Sequence, residues 1–456
     1  MSESFDERYE LGILDELPGD ETARLEQAPR AASQPFALRG CVLTPDRRLD
    51  DGYVLISGSN VESVDDAKPD AGTKIVETDG VILPGLIDLH GHPEYNVFAA
   101  WEPPKLFKNR YVWRGSGEYD TVVRQPWAKL TADPSLLQTL TRYAEVRALV
   151  GGATAIQGAS AKYPGKDEAL VRNVDLRIFG EHKARSIIDL SRAAPDDRTR
   201  LRAHIDAGEV TAVYVHLAEG VDDRSRKEFQ ELVDANLLTA ATVIIHGTAL
   251  TDANLADVKD AGAKLVWSPQ SNLRLYGDTT HAAKALQLEI PLGIGADWLP
   301  SGSQTLLGEL KVARRRLLQQ GAPPGQLAKK LVHAVTSGGA AIAGLGDKLG
   351  TLAGGRPADV LVLERFFDDP WENVVEAEPG WIELVTIGGD VAYGRADWVQ
   401  DLTGTDGELE DVIAWGKAMK LDTSYAAAPS GGTPVRLAEI RKSLLDRFPQ
   451  SGPIFA

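Results

Sequence analysis

Short apolar runs that end in a histidine or an aspartate recur through the middle of this chain of 456 residues. The run VILPGLIDLHGH carries His90 and His92, TAVYVH ends at His216, TVIIH ends at His246, and PLGIGAD ends at Asp297. Each run has the length and composition of a buried strand. Helix-like intervals such as SRKEFQELVDANL lie between them, and strands that alternate with helices indicate a parallel α/β sheet.

The spacing of these residues favours a (β/α)8 barrel over an open doubly wound sheet. In a barrel of about 250 residues, each strand–helix unit takes about 31 residues. His216 lies 124 residues after His92, close to four units, and His246 follows after 30 more, close to one unit. Asp297 lies a further 51 residues on, with AKLVWSPQ as the strand between, and no G-x-G-x-x-G follows the first strand. The side chains are therefore expected at the carboxyl ends of strands 1, 5, 6 and 8, where barrel enzymes carry their chemistry.

The two ends of the chain predict a second, β-rich module. Residues 36–81 and 355–395 contain short strands broken by turns, and we expect them to form one composite β-sandwich beside a barrel at 82–354. Residues 1–35 are expected to form a polar N-terminal arm and residues 396–456 a helical tail. The arm and the tail are candidates for contacts in a homo-oligomer, with a dimer as the simplest case.

Composition excludes several classes of partner. A net charge of −17 argues against nucleic acid, which needs a basic footprint, and against anionic membranes. No apolar run reaches the roughly eighteen residues of a membrane span, and the acidic N-terminus does not resemble a secretory signal. A cytoplasmic setting is expected. Cys41 is the single cysteine, so any metal must be held by histidine, aspartate or glutamate.

Three imidazoles and a carboxylate that converge on one mouth can hold a divalent metal and leave a position open. His90 and His92 are two residues apart, which points both rings to one side of a strand. The alternative is that each histidine is a satisfied polar residue at a strand end. The remaining histidines lie in helical or loop sequence and are expected to be structural or exposed: His182, His204, His281 and His333.

Five segments resemble the amidohydrolase superfamily, in particular its deaminase and triazine hydrolase branch. They are PGLIDLHGH, VHLAEG, IIHG, SPQSNLRL and GIGADWLPSG, which are similar to strands 1, 5, 6, 7 and 8 of that family. The segment 336–363 resembles the family's return into its β-sandwich, and the whole resemblance extends from about residue 36 to 395. It implies one divalent metal, zinc in preference to iron, held by His90, His92, His216 and Asp297.

The same resemblance implies a hydrolytic reaction on a small cyclic substrate. Hydroxide generated at the metal would attack an sp2 carbon, with His246 hydrogen-bonded to it and Asp297 accepting the proton of the water. Glu219, three residues after His216, would shuttle protons, which favours deamination of a heterocyclic amine. A cyclic amide or imide hydrolase that opens its ring, and a metal-free scaffold protein, stay open as alternatives. A two-metal site would need a bridging lysine on strand 4, and Lys183 is the residue near that strand.

The substrate contacts are the least determined part of the sequence. Residues 99–127 form a long loop after strand 1 that is rich in aromatic and basic side chains. They predict either a lid that stacks a planar ring and pairs an anionic group, or an excursion packed on the barrel or on another subunit. The candidate substrate-binding residues are Tyr95, Trp113, Arg114, Gln270, Asn272 and Trp298.

Overall fold

A computed structural model describes residues 34–158, 169–175, 178–179, 183–403, 409–424 and 436–450. Within these residues the chain is α/β, with parallel strands in its middle and a large mixed sheet built from its two flanks. Residues 1–33 of the predicted N-terminal arm and His182 lie outside the described residues.

The middle of the chain contains eight parallel strands. In chain order they are β5 (Leu86–Asp88), β6 (Ala153–Ile156), β7 (Arg172–Asn173), β8 (Ala184–Ile187), β9 (Ala212–Leu217), β10 (Thr242–His246), β11 (Lys264–Trp267) and β12 (Leu292–Ile294). Their hydrogen bonds form a three-stranded sheet, β5-β6-β7, and a five-stranded sheet, β12-β11-β10-β9-β8. The number and direction of these strands agree with the predicted (β/α)8 unit.

Backbone hydrogen bonds connect the first of these strands to the last just beyond their carboxyl ends. The amide of Leu89 donates to the carbonyl of Ile294 at 3.3 Å, and the amide of Asp297 donates to the carbonyl of His90 at 2.8 Å. The amide of His92 in turn donates to the carbonyl of Asp297 at 3.1 Å. The histidine pair and the aspartate are therefore held in register, although they are more than 200 residues apart in the chain.

The two flanks form one nine-stranded sheet in the order β16-β17-β15-β14-β13-β4-β1-β2-β3. Its strands are β1 (Phe36–Leu43), β2 (Arg48–Ser57), β3 (Asn60–Asp65), β4 (Lys74–Pro84), β13 (Val360–Leu363), β14 (Ile382–Ile387), β15 (Asp390–Arg395), β16 (Leu409–Ala414) and β17 (Lys417–Asp422). The pair β1–β4 is parallel and the others are antiparallel. The composite module is therefore present as a sheet, and its expected arrangement as a sandwich stays a prediction.

The predicted helical tail needs a correction. Residues 409–422 form the hairpin β16–β17 and extend the nine-stranded sheet, while a helix covers only Ala396–Thr403 and Leu437–Arg447 of the described tail. The hairpin turns at Trp415 and Gly416, whose φ angles are 49° and 78°. Two consecutive positive φ angles match the right-handed twist of paired strands, which explains why a two-residue turn closes this hairpin.

The α-helices lie between the strands and over the faces of the sheets. They are α1 (Arg110–Arg114), α2 (Gly117–Tyr119), α3 (Gln125–Thr131), α4 (Pro134–Val150), α5 (Pro195–Asp206), α6 (Asp223–Asp234), α7 (Asp252–Asp260), α8 (Pro269–Tyr276), α9 (Ala282–Gln287), α10 (Leu306–Gln319), α11 (Leu327–Ala334), α12 (Ser337–Ile342), α13 (Pro370–Glu376), α14 (Ala396–Thr403) and α15 (Leu437–Arg447). A π-helical turn, Asp120–Arg124, and three 3-10 turns, Pro93–Tyr95, Leu190–Arg192 and Pro379–Trp381, complete the helical structure of the described residues. None of the helices that the structure describes is long and apolar enough to cross a membrane.

A buried ion pair fastens the parallel strands to the nine-stranded sheet. The guanidinium of Arg172 on β7 donates to both carboxylate oxygens of Asp359, just before β13, at 2.6 and 2.9 Å. Both side chains are almost fully buried, and the same carboxylate accepts the amide of Gly388 at 2.7 Å. A buried pair in this bidentate geometry specifies how the two parts of the chain meet.

Candidate metal and active site

The residues that were predicted to converge do so at the carboxyl ends of the parallel strands. His90 and His92 follow β5, His216 lies near the end of β9, His246 ends β10, and Asp297 follows β12. Nitrogen atoms of His90, His92 and His216 lie within 4.8 Å of one another, and the same limit holds for His90, His246 and Asp297. The Asp297 Oδ1 atom lies 3.2 Å from His90 Nε2 and 3.6 Å from His92 Nε2.

The backbone at the tips of these strands is bent into the left-handed region. His246 has a φ of 68°, Asp297 a φ of 63°, and Ala218, beside the strand-5 motif, a φ of 54°. Residues other than glycine rarely adopt this conformation, and such strain is concentrated at functional sites. Gly91, between the two histidines, is needed for a different reason, since a Cβ there would meet the carbonyl oxygens of Gln157 and Asp297 at 3.2 and 3.3 Å.

The electrostatics of the cluster suit a divalent cation. Burial lowers the pKa of His216 well below its usual value, and burial together with neighbouring histidines lowers that of His92 to about 4. The imidazoles around Asp297 lower the pKa of its carboxyl despite burial, so the carboxylate stays ionised. His90 differs, because Asp297 raises its pKa against the effect of burial. A histidine must lose its extra proton to bind a metal, so a bound cation would displace such a proton from His90.

Buried nitrogen atoms without partners provide the test of whether these residues fit a metal. The side chains of His90 and His216 are almost fully buried. Among the described residues, neither ring nitrogen of His216 has a hydrogen-bond partner. Buried polar groups are nearly always satisfied, so an unpartnered buried imidazole beside two other histidines fits a site made for an ion.

His246 is held by a network that fixes its tautomer. Its Nδ1 atom lies 2.9 Å from Oδ1 of Asn272, while Nδ2 of Asn272 donates to Oγ1 of Thr279 at 3.0 Å. Because Asn272 presents its oxygen, Nδ1 of His246 carries the proton and Nε2 keeps its lone pair toward the cluster. Burial lowers the pKa of this imidazole to about 3, so the ring is neutral.

Glu219 lies beside the cluster and is buried. Its Oε2 atom is 3.8 Å from His246 Nε2, and its Oε1 atom accepts the hydroxyl of Tyr276 at 2.6 Å. Burial raises the pKa of the Glu219 carboxyl, and Arg110 opposes that rise from 4.0 Å. A carboxyl group whose pKa is shifted toward neutrality can exchange protons with a substrate.

The long loop after β5 packs against the parallel strands and borders the site. Trp101, Phe107, Trp113, Tyr119 and Trp127 are all buried in the core. Its buried basic residue, Arg110, is already paired, with Glu228 at 3.2 Å and Asp189 at 3.7 Å. These five aromatic residues therefore follow the prediction of a loop packed on the rest of the chain. Arg110 pairs with carboxylates of the protein itself.

The predicted substrate-binding residues fall into two groups. Trp298 and Tyr95 stand beside His92, each with its ring centroid 6.4 Å from the imidazole, and Trp113 lies 5.6 Å from Trp298. These rings form an aromatic wall at the cluster. The other three are not part of it. Asn272 is fully buried and contacts His246, the amide of Gln270 donates to Glu309 at 2.8 Å, and Arg114 is half-buried at the end of α1.

Lys183 stands at the wrong end of its strand to bridge two metals. It precedes β8, at the amino end of the parallel strands, and its carbonyl accepts the amide of Thr211 at 3.0 Å. The histidine cluster is at the opposite, carboxyl ends of the strands.

The sequence analysis did not identify Tyr276, Asp189 and Glu228 as residues near the site. Tyr276 follows Asn272 by one helical turn and could have been found from that spacing.

Comparisons with known proteins agree with this arrangement. A profile of the amidohydrolase family matches residues 183–392, which include His216, His246 and Asp297. Over these residues the chain is similar to the amidohydrolase family. The chain is 27% identical over 326 residues to a 5-methylthioadenosine/S-adenosylhomocysteine deaminase of Teredinibacter turnerae, covering 62% of this chain and 72% of that protein. It is 24% identical over 397 residues to the protein of the same name from Halobacterium salinarum, covering 78% and 90%.

Solved structures show that the chain shares its fold with proteins that were solved with bound zinc. An adenosine deaminase from Xanthomonas campestris with bound zinc superposes with a TM-score of 0.67 at 17% identity, covering 91% of this chain and 99% of that one. An atrazine chlorohydrolase from Arthrobacter aurescens complexed with zinc gives a TM-score of 0.62 at 18% identity, covering 78% and 94%.

Proposed function

We propose that this protein is an amidohydrolase, a metal-dependent deaminase that hydrolyses an exocyclic C–N bond of a heterocyclic amine. The observation that carries the proposal is the convergence of His90, His92, His216 and Asp297, with the buried carboxyl group of Glu219 beside them. Relatives that cover most of the chain are named as deaminases of purine nucleosides, which supports the same class of bond.

His90, His92, His216 and Asp297 are the residues that would hold one divalent metal. Zinc is the proposed ion, because similar folds were solved with zinc and because imidazole and carboxylate ligands suit it. When bound, the metal supplies Lewis-acid activation of water, whose pKa it lowers toward neutrality. The position of Lys183, away from the cluster, supports one metal rather than two.

The remaining residues handle the protons. His246 keeps a lone pair on Nε2 and would accept a hydrogen bond from the attacking water, which orients its oxygen toward the substrate carbon. Asp297, ionised in the cluster, would accept the proton that the water loses. Glu219 would deliver its proton to the ring nitrogen, a task for which its raised pKa is suited, and would regain a proton from the attacking oxygen as the C=O bond forms. The proton that Asp297 took from the water would go to the amine, which leaves as ammonia.

The aromatic wall supports a planar substrate. Tyr95 and Trp298 lie beside His92, with Trp113 next to Trp298, and aromatic rings bind flat heterocycles by stacking and edge contacts.

We also propose that the eight parallel strands close into one barrel, that the nine-stranded sheet folds as a sandwich, and that the protein is a cytoplasmic homodimer without nucleic-acid partners. The net charge of −17 supports the last point.

The test is ammonia release by the zinc-loaded protein from a panel of purines: 5-methylthioadenosine, S-adenosylhomocysteine, adenosine and guanine. For at least one of these purines, we expect ammonia to be released at the rate at which the ultraviolet absorbance of the aminopurine is lost. Its ring should stay closed. A cyclic imide is the contrasting substrate. If the imide is opened and none of the amines releases ammonia, the protein is a ring-opening hydrolase and the proposal is wrong.

A further inference from the structure

The carboxyl group of Glu219 is held by a chain of two buried hydrogen bonds. The indole Nε1 of Trp113 donates to the hydroxyl oxygen of Tyr276 at 2.8 Å, and the Tyr276 hydroxyl donates to Glu219 Oε1 at 2.6 Å. All three side chains are at most 8% exposed. The phenol hydroxyl has one proton, and it is committed to Glu219, while its lone pair receives the indole proton.

One helix supports both His246 and Glu219. Asn272, which fixes His246, and Tyr276, which contacts Glu219, are both on α8 and four residues apart. Residues at this spacing lie on the same face of a helix. Gly277 ends α8 with a φ of 71°, so Tyr276 occupies its last turn.

The loop after β5 holds Glu219 from the other side. The amide of Arg110 donates to the carbonyl of Glu219 at 3.2 Å, and the amide of Val221 donates to the carbonyl of Lys108 at 2.7 Å. The loop that supplies Trp113 is thus bonded to the backbone on both sides of Gly220. Its packing fixes the main chain of Glu219, and the indole and phenol fix the carboxyl group.

We propose that Tyr276, supported by Trp113, is a positioning residue that keeps Glu219 oriented toward the reacting atoms. The proposal rests on the proposed function, in which Glu219 transfers the proton. Without the phenol hydroxyl, Oε1 of Glu219 loses its 2.6 Å partner and the carboxyl group can rotate away. Trp113 acts one step further from Glu219, so its loss should have a smaller effect in the same direction.

The kinetic test compares Tyr276→Phe and Trp113→Phe with Tyr393→Phe, all zinc-loaded. Tyr393 is a buried tyrosine of the nine-stranded sheet, so its variant also removes one buried hydroxyl, far from the site. We expect kcat of Tyr276→Phe to fall by about 10- to 100-fold, as for other residues that orient a reacting group, and KM to change by less than about threefold. The control should keep the wild-type kcat, and a wild-type kcat for Tyr276→Phe would overturn the proposal.

Crystal structures of the same zinc-loaded proteins test the position directly and need no substrate. In Tyr276→Phe the Glu219 carboxyl group should leave its wild-type position while the rings of His90 and His216 stay in place. A Glu219 that does not move overturns the proposal, even if kcat falls. If the wild type releases ammonia from no purine, the proposed function fails, and the Glu219 position alone decides the positioning role. If Tyr276→Phe does not fold, Trp113→Phe answers the same question.

Discussion

Glu219 carries a residue-level prediction, because one atom separates its catalytic form from an inert one. Glu219→Gln keeps the volume and an oxygen that can accept the Tyr276 hydroxyl, but an amide cannot transfer the proton. We expect kcat to fall by about 10²- to 10⁴-fold, the usual contribution of a general acid–base group. Metal content per chain should be unchanged, since no proposed ligand is altered. Glu231→Gln, at an exposed position of α6, is the matched control. Full activity of Glu219→Gln would remove this residue from the mechanism.

At the scale of single residues, the positions that could be predicted are those that a strand end defines. His216, His246 and Asp297 each close an apolar run, and parallel strands bring their carboxyl ends together whatever lies between them. The partners of these residues could not be predicted in the same way. Tyr276 is 57 residues from Glu219 and Trp113 is 106 residues away, so their contact depends on how a helix and a loop pack. Asn272 was predicted to bind substrate from its place after strand 7. In the structure its side chain is hydrogen-bonded to His246, a contact that also depends on this packing.

The parallel strands that follow a regular repeat were predictable, and the elements that depart from it were not. β9, β10 and β11 match the runs TAVYVH, TVIIH and AKLVW, since a buried strand must be continuously apolar. β8 was not assigned from the sequence, because ARSI is only four residues long and has two adjacent polar residues in its centre, after a basic segment. The hairpin β16–β17 was missed although LEDVIA and KAMKLD flank a two-residue turn, which is a recognisable hairpin pattern.

The junction between β7 and the nine-stranded sheet carries a prediction about stability. Asp359→Ala leaves the guanidinium of Arg172 buried without its carboxylate, and such a loss costs about 3–5 kcal/mol of unfolding free energy. Replacing both residues, as Arg172→Met with Asp359→Leu, should cost less than the single change because no buried charge is left alone. Urea denaturation measures both. The control is Asp51→Ala, which breaks an exposed pair with Arg39 and should leave the denaturation midpoint unchanged. If Asp359→Ala and Asp51→Ala lost the same unfolding free energy, burial of the Arg172–Asp359 pair would not contribute to stability.

At the scale of the whole molecule, the two flanks and the middle of the chain depend on each other. β4 leads through Gly85 directly into β5, so one continuous segment runs from the nine-stranded sheet to His90 and His92. β13, which pairs with β4, belongs to the segment that returns after the last parallel strand, β12. A composite sheet could be predicted from two β-rich flanks, but its order could not, because β4 pairs with β1 in parallel and with β13 in antiparallel orientation.

Metal binding should therefore stabilise the entire fold. The proposed ligands come from β5, β9 and the segment after β12, so an ion bound to them joins the first, fifth and eighth parallel strands. Ligand binding to the folded state adds about 4 kcal/mol when the free ligand is a thousandfold above its dissociation constant. We expect about one zinc per chain in protein purified without chelator, a lower melting temperature after chelation, and recovery when one equivalent of zinc is restored. His90→Ala should abolish the recovery, whereas His281→Ala, an exposed histidine away from the cluster, should not. Two metals per chain would contradict the single site. A melting temperature that does not change when zinc is removed or restored would show that the four residues do not hold zinc.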